Sequence, residues 1–245
     1  MNSLNFLFVV ISAMIACEAP NHRIIKLTDG LSIKAELLLR DDFSNGIDNW
    51  QAEQMPGGTV YGKDGKLVVK DKAGCTVWFK NKLNGPIMIE YDAYVVEAGG
   101  AFDRVSDLNC FWMATDSEHP DNLFAKSESR NGKFRNYDSL SLYYVGMGGH
   151  HNTKTRFRRY NGKGEKPLLP QHDLTDSAYQ IKPNTAIKIR LIAYKDIIQF
   201  YKNDKLIFDF QDPNPYTEGH FGLRTVHNHM MIDNFAVYQL TEIAN

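Results

Sequence analysis

From Ser32 onward, apolar and polar positions alternate with a period of two in short runs, and Gly, Asn and Asp interrupt them. A period of two places successive side chains on opposite faces of a strand. The pattern predicts strands over 32–39, 66–70, 76–80, 87–96, 109–114, 140–145 and 155–160, then over 187–194, 197–202, 205–211, 219–225 and 231–239. The breaks carry turn chemistry: Asp64-Gly65, Asn84-Gly85-Pro86, Asn161-Gly162 and Asn203-Asp204. No segment carries a helical apolar stripe over three turns. About a dozen short strands in one chain predict an all-β fold, with two sheets packed as a sandwich.

The amino terminus departs from this pattern. Residues 4–16, LNFLFVVISAMIA, form an apolar run interrupted only by Asn5 and Ser12. It falls short of the roughly 20 residues needed to span a bilayer, and it suits the apolar region of an export signal. The run ends in Met14-Ile15-Ala16-Cys17, which resembles a bacterial lipobox and implies lipidation of Cys17. The expected organisation is a signal peptide over 1–16, a lipidated, flexible connector over 17–30 and one sandwich domain over 31–245. The expected location is the periplasm or cell surface, with the membrane met only through the lipid anchor. Cys75 and Cys110 then remain, either as a disulfide in an oxidising compartment or as two buried thiols.

Asp41-Asp42-Phe43 followed by Trp50, and Gly222-Leu223-Arg224-Thr225 followed by Asp233-Asn234-Phe235, form a frame. It resembles that of the concanavalin-like jelly roll shared by 3-keto-disaccharide hydrolases and laminarinase-like enzymes. The centre resembles a family of exported bacterial proteins of unknown function found among polysaccharide-degrading genes. The segments that carry this likeness are Arg104–Asp116, Tyr137–Leu140, Tyr143–Gly146, Gly149–Thr153 and Thr155–Tyr160. The resemblance covers about residues 37–240 and implies a jelly roll and a carbohydrate role. By the same likeness Arg224 lines a sugar cleft, with His227 near the end of its strand.

The chain carries a net charge of -1, which argues against nucleic acid as a partner, since that needs a broad basic face. Its distribution is uneven. Between Lys126 and Lys166 stand ten basic and three acidic residues, a balance of +7 that leaves -8 for the rest. A local basic field suits a polyanion, here a polysaccharide or oligosaccharide bearing uronate or sulfate; the alternative is a solvated basic loop. Within it Arg156 and Arg158 share one strand face and Phe157 takes the other. Guanidinium groups suit planar, bidentate binding of carboxylate.

These residue types match β-elimination from a uronate, which needs a donor to neutralise the carboxylate, a base and an acid. Tyr143, His150 and Arg156 are the expected catalytic groups; Tyr144 and His151 are neighbouring proton-transfer candidates, and alternation places one of the two tyrosines in the core. Arg104, Asp107, Asn109, Trp112, Arg158, His172, Arg224 and His227 are the expected substrate contacts, Trp112 as a stacking platform. A glycoside hydrolase would instead use a pair of carboxylates from Asp107, Asp138 and Asp173. Glu90-Tyr91-Asp92 starts a laminarinase-like Glu-x-Asp-x-x-Glu pattern, but Tyr94 and Val95 stand where the third carboxylate belongs. A noncatalytic glycan-binding module is the third reading. No cofactor or catalytic metal is expected; a structural calcium ion near Asp41-Asp42 is left open.

Overall fold

The computed structural model describes residues 21–243; the expected signal peptide and the Cys17 anchor lie outside the described residues. In chain order the strands are β1 (His22–Thr28), β2 (Leu31–Asp41), β3 (Trp50–Gln54), β4 (Thr59–Lys63), β5 (Lys66–Asp71) and β6 (Cys75–Phe79). They continue with β7 (Leu83–Asn84), β8 (Ile87–Val95), β9 (Leu108–Asp116), β10 (Leu140–Gly148), β11 (Lys154–Asn161) and β12 (Asp173–Leu174). Then follow β13 (Ala186–Tyr194), β14 (Ile197–Lys202), β15 (Lys205–Gln211), β16 (Glu218–Thr225) and β17 (Asn228–Glu242).

Two antiparallel sheets result, as alternation predicts. One runs β1-β2-β17-β8-β13-β14-β15, with β5 and then β4 extending beside the first half of β17; the other runs β12-β11-β10-β9-β16-β6-β3, with β7 beside the start of β16. This is a jelly-roll sandwich. Between the sheets, Val77, Phe79, Cys110, Trp112, Tyr143, Val145, Phe157, Phe221 and Leu223 meet Ile89, Tyr91, Ile189, Leu191, Phe235 and Val237 in one buried core. Each large apolar side chain buried there contributes roughly 1.5–3 kcal/mol.

The Asp-Asp-Phe and Trp of the opening frame form a corner. The Asp41 carboxylate accepts hydrogen bonds from the Phe43 amide (2.9 Å) and the Trp50 indole (3.0 Å). That holds Trp50 against Phe43, Phe79, Phe221 and Phe235. Among the described residues no group of three or more His, Cys, Asp or Glu is placed to hold a metal.

One expectation changes, one open alternative is resolved, and one segment takes a form the alternation did not address. Residues 22–28, read as connector, form edge strand β1, because Ile25 and Leu27 pack into a small cluster with Ile33, Tyr194 and Leu240 on the outside of the first sheet. Cys75 and Cys110 are both free buried thiols. Their strands are separated by β16, and their partners on it, Thr225 and Leu223, are two residues apart; the strand spacing alone puts them at least about 9–10 Å apart, beyond the roughly 7 Å that a disulfide tolerates. Lastly, residues 117–139 between β9 and β10, which show no strand pattern, fold back as short helical turns over 123–126, 127–130 and 134–137. They build a second core on the outer face of the second sheet, around Trp78, Phe111, Tyr137, Tyr144 and Tyr160.

Candidate functional site

The outer face of the second sheet carries the site. The hairpin of β10 and β11 sets Tyr144 opposite Arg158 and Gly146 opposite Arg156. By alternation all four side-chain positions face outward, while Tyr143, Val145 and Phe157 face the core. A cavity of about 290 Å³ forms there, floored by Tyr144, Gly146, Arg156, Arg158 and Tyr160. Asp107, Phe134, His150, Lys154 and Lys166 stand around it.

Gly146 is needed for close approach. A Cβ at that position would sit 2.4 Å from the Tyr144 hydroxyl oxygen, so the phenol lies along the sheet over the glycine. Burial, followed by the neighbouring Tyr160 and Asp107, pushes the Tyr144 hydroxyl well above its ordinary value of 10, so it stays protonated at neutral pH. The Tyr160 hydroxyl is buried without a hydrogen-bond partner among the described residues, and it too was pushed upward by burial.

His150 sits in a tight turn between the two strands, where Gly148, His150, His151 and Asn152 all have positive φ. Left-handed backbone costs a residue other than glycine about 1–2 kcal/mol. Asn152 offsets part of this by bonding both the carbonyl (2.9 Å) and the amide (2.8 Å) of Ile181. The turn holds the His150 Nε2 2.9 Å from Arg156 Nη1. A guanidinium only donates, so Nε2 is the acceptor and the imidazole proton resides on Nδ1.

Arg156 also makes a two-pronged bond to Asp173, at 2.9 and 3.2 Å, and that hydrogen bonding holds Asp173 below the usual carboxylate range. Lys166 pairs with Asp138 and lies over the rings of Phe134 and Tyr160. Arg158 donates to the Lys166 carbonyl. Among the described residues, neither Lys154 nor Arg158 has a carboxylate partner. The cavity therefore combines unneutralised positive charge, a protonated phenol and an imidazole.

Several expected residues are placed elsewhere. Tyr143 is fully buried in the core, donating a 2.6 Å hydrogen bond to Asp212; its neighbour Tyr144 takes the outward position. Trp112 is 1% exposed between the sheets and offers no sugar platform, because it shares the inward face of β9 with Cys110. Arg224 does face outward but is sealed at 1% exposure, with its guanidinium against the Gly132 carbonyl and over Phe134 and Tyr137. His172, directly before β12, is caged on the inward side of that sheet edge by Phe157, Phe208 and Phe210, and burial pulls its pKa down.

Arg104 is spent on structure. It donates to the His227 and Val226 carbonyls and to Asp107. His227 reaches the Ala101 carbonyl instead of the cavity. Asp107 reaches the cavity wall with Arg104, Ser106 and Asn109 all donating to it; Asn109 stands behind it, buried. Thus His150, Arg156, Arg158 and Asp107 converge with Tyr144, the alternative to Tyr143, and are joined by Tyr160, Lys154, Lys166 and Phe134, which no sequence pattern singled out. The hairpin symmetry about His151 was the available signal: it pairs 144 with 158.

The laminarinase-like start at Glu90 lies on the other sheet. There Glu90 is bound by Arg23 and Arg190, so it is remote from the cavity.

Residues 69–235, two thirds of the chain, match a family model described as a domain of unknown function, DUF6250. No curated protein matches the chain. Among solved structures, a Bacillus subtilis protein of unknown function with a galectin-like fold is 19% identical with a TM-score of 0.67, covering 86% of this chain and 100% of that one. The carbohydrate binding module CBM66 from Bacillus subtilis is 14% identical (TM-score 0.52; 78% and 96% covered). An endo-beta-1,3-glucanase from Pyrococcus furiosus is 12% identical (TM-score 0.55; 92% and 100% covered). At these identities the likeness is one of fold. The chain belongs to the DUF6250 family.

Proposed function

We propose that this member of the DUF6250 family binds an acidic, uronate-bearing polysaccharide in the Tyr144–Arg158 cavity and cleaves it by β-elimination. The observation that carries the reading is the convergence, in one cavity, of two guanidiniums, two ammoniums, an imidazole and a protonated phenol. Two fold neighbours are a carbohydrate binding module and a glucanase, which supports a carbohydrate ligand on this scaffold.

The chemistry follows from the groups present. Arg158 and Lys154 bind the uronate carboxylate and stabilise the charge that develops when C5 loses its proton. The carboxylate also competes for Arg156, releasing the lone pair of His150 Nε2. His150 then removes the C5 proton, the C5–H electrons form the C4=C5 double bond, and the C4–O bond breaks. Tyr144, held protonated by burial, gives its proton to the departing oxygen. Atoms balance without water.

Hydrolysis is the weaker reading, since a general acid carboxyl needs a raised pKa. Asp173 is instead lowered by Arg156, Asp138 is paired with Lys166, and Asp107 is held by three donors. The test is incubation with uronate-containing and neutral polysaccharides, following ultraviolet absorbance of unsaturated uronate alongside new reducing ends. Both rising together is the expected result. Reducing ends without absorbance would establish hydrolysis, and binding without either would establish a glycan-binding module. We also read residues 1–17 as an export signal ending in a lipidated Cys17. Labelling with a radioactive fatty acid should mark the wild type and not C17S.

A further inference from the structure

The outer face of the second sheet is open over only part of its width. On the β3–β6–β16 side, residues 117–139 are locked down. Glu53, outward on β3 yet fully covered, receives hydrogen bonds from Arg130 (2.6 and 3.1 Å), Ser127 (2.6 Å) and Tyr137 (2.7 Å). Trp78 lies under this segment with Phe111 and Tyr137. Gly74 and Gly132 bring the two backbones together so closely that a Cβ on Gly132 would sit 2.4 Å from the Gly74 carbonyl oxygen.

Phe134, from the same segment, packs 5.6 Å from Tyr144 and walls the cavity on that side. The His150 turn stands at one end of the β10–β11 hairpin, and Lys166, held to Asp138, stands near the other. The cavity is thus walled on three sides. At about 290 Å³ it lies at the small end of ligand pockets, which span about 300–1,000 Å³. That is room for the end of a sugar chain and not for a chain running through.

We propose that the site recognises the terminus of an acidic polysaccharide, with one or two sugar units entering the blind cavity and the remainder leaving past the β12 edge. This rests on the uronate reading above and adds to it the mode of attack: removal from chain ends. A site open at both sides would accept internal stretches, and several protein molecules would then bind along one long chain.

The experiment is calorimetric titration of the full chain, carrying H150A to prevent turnover, with oligouronides of two to twelve units. The expected result is at most one protein bound per chain end at every length, with affinity per chain changing less than threefold beyond three units. Stoichiometry that climbs with length would overturn end recognition while leaving the uronate reading intact. Absence of binding at every length, with wild-type protein behaving the same, would overturn both. F134A sharpens the result. Opening the wall should raise the stoichiometry on the longest oligomers; unchanged stoichiometry would show that Phe134 is not what closes the cavity.

Discussion

The two halves of the second sheet's outer face use the same residue types for opposite ends. On one half, Glu53 and Arg224 of the sheet are buried beneath residues 117–139, together with that segment's own Arg130 and Tyr137. On the other, Tyr144, Arg156, Arg158 and Asp107 line an open cavity. Arginine, tyrosine and carboxylate appear in both, so residue type does not separate structure from chemistry. Satisfaction does. In the covered half Glu53 has donors from three side chains, whereas in the open half Arg158 and Lys154 lack an anionic partner among the described residues. A buried ion pair can be replaced without loss by apolar groups, but breaking it by removing one partner is costly.

The sharpest break of this comparison is R130M. Removing one side of the buried pair should cost about 3–5 kcal/mol, seen as a large fall in the urea midpoint, while the double variant E53L/R130M should recover much of the loss. Next is Y144F. If Tyr144 donates the proton, turnover should fall by about 10²–10⁴ with the melting temperature close to wild type. Y143F is its counterpart: it loses the bond to the Asp212 carboxylate and about 1.5–3 kcal/mol of stability while keeping turnover. G146A should displace the Tyr144 phenol and lower turnover by less than Y144F does, again at near-native stability.

The smallest effect concerns the opposite sheet. Burial pushes Glu90 upward, but hydrogen bonds from Arg190 and Arg23 outweigh it and leave the group below its ordinary 4.5. A carboxyl lowered by folding lends stability that is fully present above about pH 4.5 and is lost as pH falls through the folded value. Acid titration of the melting temperature should therefore be shallower below pH 4.5 in E90Q than in wild type.

Period-two alternation made most strands readable, and it put Arg156 and Arg158 on one face with Phe157 on the other, as the structure has them. It was less able to choose between Tyr143 and Tyr144. Adjacent strand residues face opposite ways, and which one is outward depends on the pairing register. Trp112 and Arg224 failed for a different reason. Trp112 faces inward, and Arg224 faces the correct side but lies under a segment of irregular turns that has no periodic signature. Long-range covering of this kind is written in no local stretch of sequence. The same holds for β3 and β4, short strands whose pairing with β6 and β5 supplies what their own pattern lacks.

The unpaired thiols of Cys75 and Cys110 have a practical consequence. Burial pushes Cys110 up to about 12 and Cys75 higher still, so almost no thiolate exists at neutral pH, and the thiolate is the reactive form. Folding of residues 21–243 consumes no oxidant, and the native sandwich shields both sulfurs from alkylating reagents. Both positions face the central core from different strands, so their labelling needs the sheets to part. Where the reagent outpaces reclosing, alkylation of these two positions by a small maleimide thus becomes a built-in clock, ticking at the rate at which the whole sandwich opens.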